Sequence, residues 1–276
     1  MKHDDGWNKC LAEIWTKNVA PSRPSSFELS EYTRLLRSLQ KKLNHKIRLL
    51  VLGSTPEFRD WGYEEDMEIH VVDKSIEYYT TITREVRHKQ LKETFHLAEW
   101  EEMSFDCQFD IIIGDLSIGN IDYQRFDNFL YNIQQALSEH GLFIGKSFIW
   151  EETIESKTPK QIIDDYYSSI PIHPYTFINH QLGYYCLDKE KNEIDFSRMY
   201  NEMYVLYESG IIDRNLFSYF QNIGWDTEMK FKFFAPSKSQ FEKRVMKFFP
   251  YVSFIHTEDI YSCLFPIFII SKSKNI

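Results

Sequence analysis

Ile47-Arg-Leu-Leu-Val-Leu-Gly-Ser54 reads as an apolar strand running into a tight turn, and Glu68-Ile-His-Val-Val-Asp73 places a carboxylate 20 residues after Gly53. A buried strand, a turn and a second strand ending on an acid are how an open α/β sheet presents an acceptor to a ribose. The pair therefore predicts a nucleoside-containing ligand. The turn itself, Gly53-Ser-Thr-Pro-Glu57, lacks the further glycines that let a pyrophosphate approach the backbone. A ligand without a pyrophosphate is favoured, and S-adenosylmethionine fits, since its sulfonium and amino-acid tail call for hydrogen bonds and carboxylates rather than a phosphate nest.

Outward from this unit the pattern alternates. Strands are expected at 47–52, 68–73, 95–98 and 109–114, with a helix over 76–91 between the second and third. Phe126, Phe129, Leu130, Ile133 and Leu137 then mark an amphipathic helix stopped near Gly141, ahead of a fifth strand at 142–149. Alternation of this kind predicts a doubly wound, mainly parallel sheet. Upstream, residues 7–20 read as a short helix ended by Pro21-Ser-Arg-Pro24. Ser25-x-x-Glu28 then opens a second helix as a capping box, with Leu29, Tyr32, Leu36, Leu39 and Leu43 along one face. Past Trp150 the alternation breaks into a polar, Tyr-rich stretch of helical pattern to about residue 240. Strands return at 251–256 and 264–271, the second with an awkward Pro266 inside it.

The stretch from Arg48 to Trp150 resembles the class I S-adenosylmethionine-dependent methyltransferases. Leu49 to Glu57, Val71-Val-Asp73, Leu97-Ala-Glu-Trp100 and Phe109-Asp-Ile-Ile-Ile-Gly-Asp115 occur in that family's order and spacing. The resemblance implies an α/β fold with a doubly wound seven-stranded methyltransferase-like sheet, N-terminal helices and an inserted helical cap. It divides the chain into an N-terminal helical lid (1–45), a Rossmann-like cofactor-binding core (46–150), an inserted substrate cap (151–240) and the last two strands of the core (241–276).

Asp73 is expected to accept from both ribose hydroxyls, and Gly53 to let the chain turn beside the methionine moiety. Ser54 and Thr55 either donate to the cofactor carboxylate or cap the following helix, while Glu57 reads as part of a helix start behind Pro56. The resemblance gives Glu99 and Trp100 to adenine recognition and sets Asp115, Leu116 and Ser117 beside the transferred methyl. Methyl transfer needs a general base only where the acceptor must lose a proton; Asp115, His173 and His180 are the candidates. The tyrosines of the insertion, Tyr166, Tyr167, Tyr175 and Tyr184 among them, are expected to line an acceptor cavity.

Composition bounds the alternatives. The formal charge of −9, from 41 acidic and 32 basic residues, opposes a nucleic-acid partner, and Lys230, Lys232, Lys238, Lys243, Arg244 and Lys247 read as a solvated surface. Four scattered cysteines suggest neither a zinc site nor a disulfide framework, so no metal is expected. Neither a signal peptide nor a membrane span is legible, which predicts a cytoplasmic protein acting on a small molecule. Two other functions remain open: a Rossmann-like interaction module that has lost its cofactor, made credible by the glycine-poor turn, and a nicotinamide-dependent oxidoreductase, supported by the acid after strand two.

Overall fold

The computed structural model describes residues 15–169, 172–222 and 232–274. Most of the helix expected over 7–20, and Cys10 and Lys230, lie outside these; Trp15–Lys17 form a single 3-10 turn. Helix α1 (Ser26–Gln40) starts at the expected capping box, with Ser25 Oγ accepting from the Glu28 amide and Glu28 accepting from the Ser25 amide. Next come β1 (Arg48–Leu52), α2 (Pro56–Glu64), β2 (Glu68–Asp73), α3 (Ile76–Ile82), β3 (Glu93–Leu97), β4 (Phe109–Asp115), α4 (Phe126–Ala136) and β5 (Leu137–Lys146).

The sheet is completed from the far end of the chain by β9 (Tyr251–Ile255) and β10 (Ile267–Ser271), in the order β3-β2-β1-β4-β5-β10-β9. Strands β1 to β5 are parallel to their neighbours, whereas β10 runs antiparallel to both β5 and β9. Apolar side chains fill both faces, as a sheet covered on two sides requires. One face packs Tyr32, Leu36 and Leu39 of α1 and Phe58 and Trp61 of α2 against Leu49, Val51, Ile111 and Ile144. The other packs Phe126, Phe129 and Ile133 of α4 and Phe241 and Val245 of α9 (Lys238–Val245) against Leu50, Ile112, Phe143 and Phe268.

Several boundaries depart from the sequence reading. Pro266 is not in the ladder: β10 begins one residue later, at Ile267, so no bond is lost to its missing N–H. Gly141 does not stop α4, which ends at Ala136; the glycine lies inside β5, where Leu137 pairs with Phe109 and Leu142 already pairs with Ile111. The residues between loop out as a bulge. The helix expected to 91 ends at Ile82, followed by a 3-10 turn at Thr83–Glu85. The second N-terminal helix, α1, lies along a sheet face rather than over its end, and Glu28 in its first turn reaches the end of β5.

Between β5 and α9 the chain builds a second apolar cluster with α5 (Pro159–Ser168), a π turn at Tyr175–Asn179, α6 (His180–Tyr185), α7 (Phe196–Glu208) and α8 (Arg214–Asn222). A small antiparallel sheet of β6 (Leu187–Asp188), β7 (Glu193–Asp195) and β8 (Lys232–Phe234) lies among them, where only helices were expected. This excursion leaves and rejoins the sheet at one neck, with the Trp150 amide donating to the Pro236 carbonyl and the Lys238 amide to the Trp150 carbonyl. Among the described residues, no helix is long and apolar enough to cross a membrane.

Candidate functional site

The segments that follow β1, β2, β3 and β4 converge on a half-open cleft lined by Gly53, Asp73, Glu99, Trp100, Asn120 and Arg125, with Lys74, Ala98 and Glu101. Gly53 closes β1 at φ +80°, a backbone that L side chains avoid. Its amide donates to the Val72 carbonyl at 2.8 Å. The same carbonyl accepts from Trp100 Nε1 at 3.1 Å, which fixes the indole so that its edge lies 3.4 Å from where a Gly53 Cβ would be.

Asp73 is 4% exposed. One carboxylate oxygen accepts from Ser54 Oγ at 2.6 Å, the other from the Ser75 amide at 3.0 Å. Burial raises its pKa, and those two donors with Lys74 pull it back. Ser54 therefore spends its hydroxyl on orienting Asp73. Thr55 holds the N-cap position of α2 without a side-chain cap bond, Pro56 follows at the first turn, and Glu57 there pairs with Arg23 at 2.5 Å. Arg59 is fully buried, pairs with Glu93 and donates to the Ser54 carbonyl, so an ion pair under the turn holds it in place. Glu99 sits at the rim, bound to Arg125 at 2.7 Å.

Asp115, Leu116 and Ser117 separate. The Asp115 side chain, 4% exposed, turns under α1 to Lys146 Nζ at 3.3 Å. Lys146, fully buried, also holds both carboxylate oxygens of Glu28, at 2.8 and 3.0 Å, and the Arg23 carbonyl. Burial pushes the Asp115 pKa up to about 7; Lys146 lowers it, and Glu28 and Glu57 raise it. Asp115 lines neither this cleft nor the cavity beyond it. Leu116 adopts φ +53°, uncommon for a non-glycine residue, and its carbonyl accepts from Asn120 Nδ2.

Behind that loop lies a second, partly open cavity between Leu116 and the excursion that follows β5. The loop is its partition: Asn120 faces the cleft and Leu116 faces the cavity. Phe233 from β8 presses on it where only a glycine fits, since a Cβ on Gly119 would lie 1.8 Å from the ring. His180 lines the cavity, is 4% exposed, and has its pKa driven down to about 4 by burial against an opposing pull from the Thr176 carbonyl. His173 does not: it is exposed and sits edge-on to Tyr219. Of the tyrosines, Tyr175 lines the cavity, Tyr184 is buried with its hydroxyl donating to the Ile154 carbonyl, and Tyr167 faces outward.

The sequence reading missed Lys146, Asn179 and Arg125, and it took Glu28 only for a cap. A lysine inside the apolar run 142–150 was the available signal. Of the basic run, Lys232, Lys238, Arg244 and Lys247 are spent on ion pairs with Glu193, Glu151 and Asp127. Among the described residues, no three His, Cys, Asp or Glu side chains converge as metal ligands.

No family model matches the chain, and no curated protein matches its sequence. Solved structures do resemble it. One named as a Zn-dependent alcohol dehydrogenase from Rhodobacter sphaeroides superposes with a TM-score of 0.55 at 13% identity, over 96% of this chain and 98% of that one. A DhpI-SAM-HEP complex gives 0.49 and 11% over 96% of this chain and 94% of that one. The N-methyltransferase NodS of Bradyrhizobium japonicum WM9, with S-adenosyl-L-homocysteine, gives 0.40 and 16% over 52% of this chain and 74% of that one. At such identities the likeness is one of fold. With its seven-stranded order and antiparallel β10, the chain has the class I methyltransferase fold.

Proposed function

We propose that this protein transfers a methyl group from S-adenosylmethionine to a small acceptor, the cofactor lying in the Gly53–Asp73–Trp100 cleft and the acceptor under a cap formed by residues 151–236. The observation that carries the reading is the pair of cavities on the two sides of the Leu116–Asn120 loop, at the carboxyl ends of the parallel strands. Ligands of open α/β sheets bind at those ends.

The residues suit the cofactor. Each Asp73 oxygen accepts one hydrogen bond, leaving each a lone pair for a ribose hydroxyl. Trp100 offers a ring face and Glu99 a carboxylate for adenine. The cleft sets three acids, Asp73, Glu99 and Glu101, against Lys74 and Arg125, a balance suited to a sulfonium. A pyrophosphate is poorly served, because Pro56 removes an N–H from the first turn of α2 and Glu57 adds a negative charge there. This weighs against the nicotinamide reading.

When bound, S-adenosylmethionine supplies a methyl carbon already activated by the sulfonium. The chain's own work is alignment and exclusion of water. The loop, braced by Asn120 on one side and Phe233 on the other, fixes the partition, and the apolar cap keeps the acceptor side dry. Isothermal titration calorimetry tests the reading: S-adenosylhomocysteine binds and NAD does not. At about 100 times its dissociation constant the ligand adds roughly 2.7 kcal/mol of stability. NAD binding, or silence from both, overturns it.

A further inference from the structure

The cavity behind Leu116 has a chemistry that narrows what it holds. None of its lining side chains is a carboxylate, lysine or arginine, and the imidazole among them, His180, is kept neutral by burial. An ammonium or a carboxylate entering there would shed water without meeting a counter-charge, a penalty that excludes both. Glu28 and Lys146 lie behind Tyr261, whose hydroxyl donates to Glu28 and whose ring stands edge-on to His180. Five of the cavity's twelve lining residues carry benzene rings, Phe148, Tyr175, Phe196, Phe233 and Phe265.

Against this wall two buried polar atoms have no hydrogen-bond partner, Nδ1 of His180 and Oδ1 of Asn179. Their residues are 4% and 7% exposed. Buried polar atoms are paired as a rule, so unpaired acceptors on two residues that line one cavity point to a polar ligand group beside them. An amide oxygen only accepts, and a neutral imidazole accepts at whichever nitrogen lacks the proton. Both orphans therefore suit a donor on the ligand. A small neutral molecule with an aromatic body and one O–H meets the uncharged wall and one of the two acceptors.

We propose that this cavity receives a compact, uncharged phenol, its ring among Phe148, Phe196, Phe233 and Phe265 and its hydroxyl donating to the imidazole of His180. Naming that phenol the methyl acceptor rests on the methyl-transfer reading above. In the transfer, the phenol oxygen bonds to the methyl carbon while the carbon–sulfur bond breaks with its electron pair left on sulfur. The hydroxyl proton passes to His180 and then to water, so the positive charge of the sulfonium leaves as a proton. The O–H becomes strongly acidic as the new bond forms, and an imidazole of low basicity is then base enough.

Calorimetric titration of the full chain with p-cresol, 4-methylanisole, p-toluate and 4-methylbenzylamine tests this. The cresol binds, and the ether, which lacks the donor, binds about tenfold more weakly, as one buried hydrogen bond left unmade requires. The anion and the ammonium bind more weakly still. His180→Leu abolishes the preference for cresol over its ether, and His180→Gln, which keeps an acceptor and serves if the leucine variant fails to fold, retains part of it. No binding of cresol, equal binding of the charged probes, or an undiminished preference in folded His180→Leu overturns the proposal. S-adenosylhomocysteine titrated into the same samples separates the two readings. Its binding without cresol refutes this inference alone, whereas cresol binding without it refutes methyl transfer and leaves the cavity assigned.

Discussion

The two cavities on either side of the Leu116–Asn120 loop are built on opposite principles. The cleft is ionic and half open, its acids held by short bonds from neighbours in the chain: Ser54 and Ser75 to Asp73, Arg125 to Glu99. The cavity behind Leu116 is neutral and assembled from distant pieces, running from Ser22 through Phe148 and His180 to Phe265. The buried group of Glu28, Lys146 and Asp115 lies beneath both and belongs to neither.

The largest expected effect comes from that shared foundation. Lys146→Met leaves two buried carboxylates without their cation and should cost about 3–5 kcal/mol of stability in urea denaturation. A loss below 1 kcal/mol would mean that the group is solvated and the two sides are not so sharply divided. Asp115 supplies the pH dependence. Its folded pKa, about 7, lies above the ordinary 3.8, so the folded state holds the proton more firmly and the stability this gives is complete below about pH 3.8 and lost as pH rises towards 7. Asp115→Asn should remove that downward slope relative to the parent, read from denaturation midpoints between pH 4 and 8. Parallel profiles would show that Asp115 is ionised throughout.

Smaller effects test the division itself. Asp73→Ala should weaken S-adenosylhomocysteine by about 1.5–3 kcal/mol, the range for hydrogen bonds to a charged group, and leave p-cresol affinity unchanged. If both ligands weaken together, the loop is not an insulating partition. Ser54→Ala only releases the orientation of Asp73, and about 0.5–1.5 kcal/mol of cofactor affinity should go with it. Calorimetry reads both.

The same contrast explains what the sequence could tell. Gly53, Asp73 and the Glu99–Trp100 step stand at strand ends, where a two-residue alternation and a conformationally special glycine leave a local signature. The doubly wound parallel sheet followed from the alternation of strands and helices, and its last two strands from the family resemblance. Nothing local betrays that Phe233 will press on Gly119, or that Ser22 and Tyr175 will share a hydrogen bond across 153 residues of chain. The direction of the Asp115 side chain escapes the sequence for a related reason. Its position after β4 is evident, but its direction is set by Lys146 and by a capping residue of α1, two partners that no spacing rule connects. His173 and His180 lie seven residues apart and look alike in sequence, yet the π turn between them leaves one exposed and buries the other.

The neck at Trp150 and Pro236 carries a consequence for how such a protein can change over evolutionary time. Entry and exit are held side by side by two ladder bonds, and the entropy of closing what lies beyond grows slowly with its length. The excursion is thus a graft on a stock. Residues there can be lengthened or shortened without shifting the register of β5 against β10, provided that the contacts on Gly119 and Ser22 are kept.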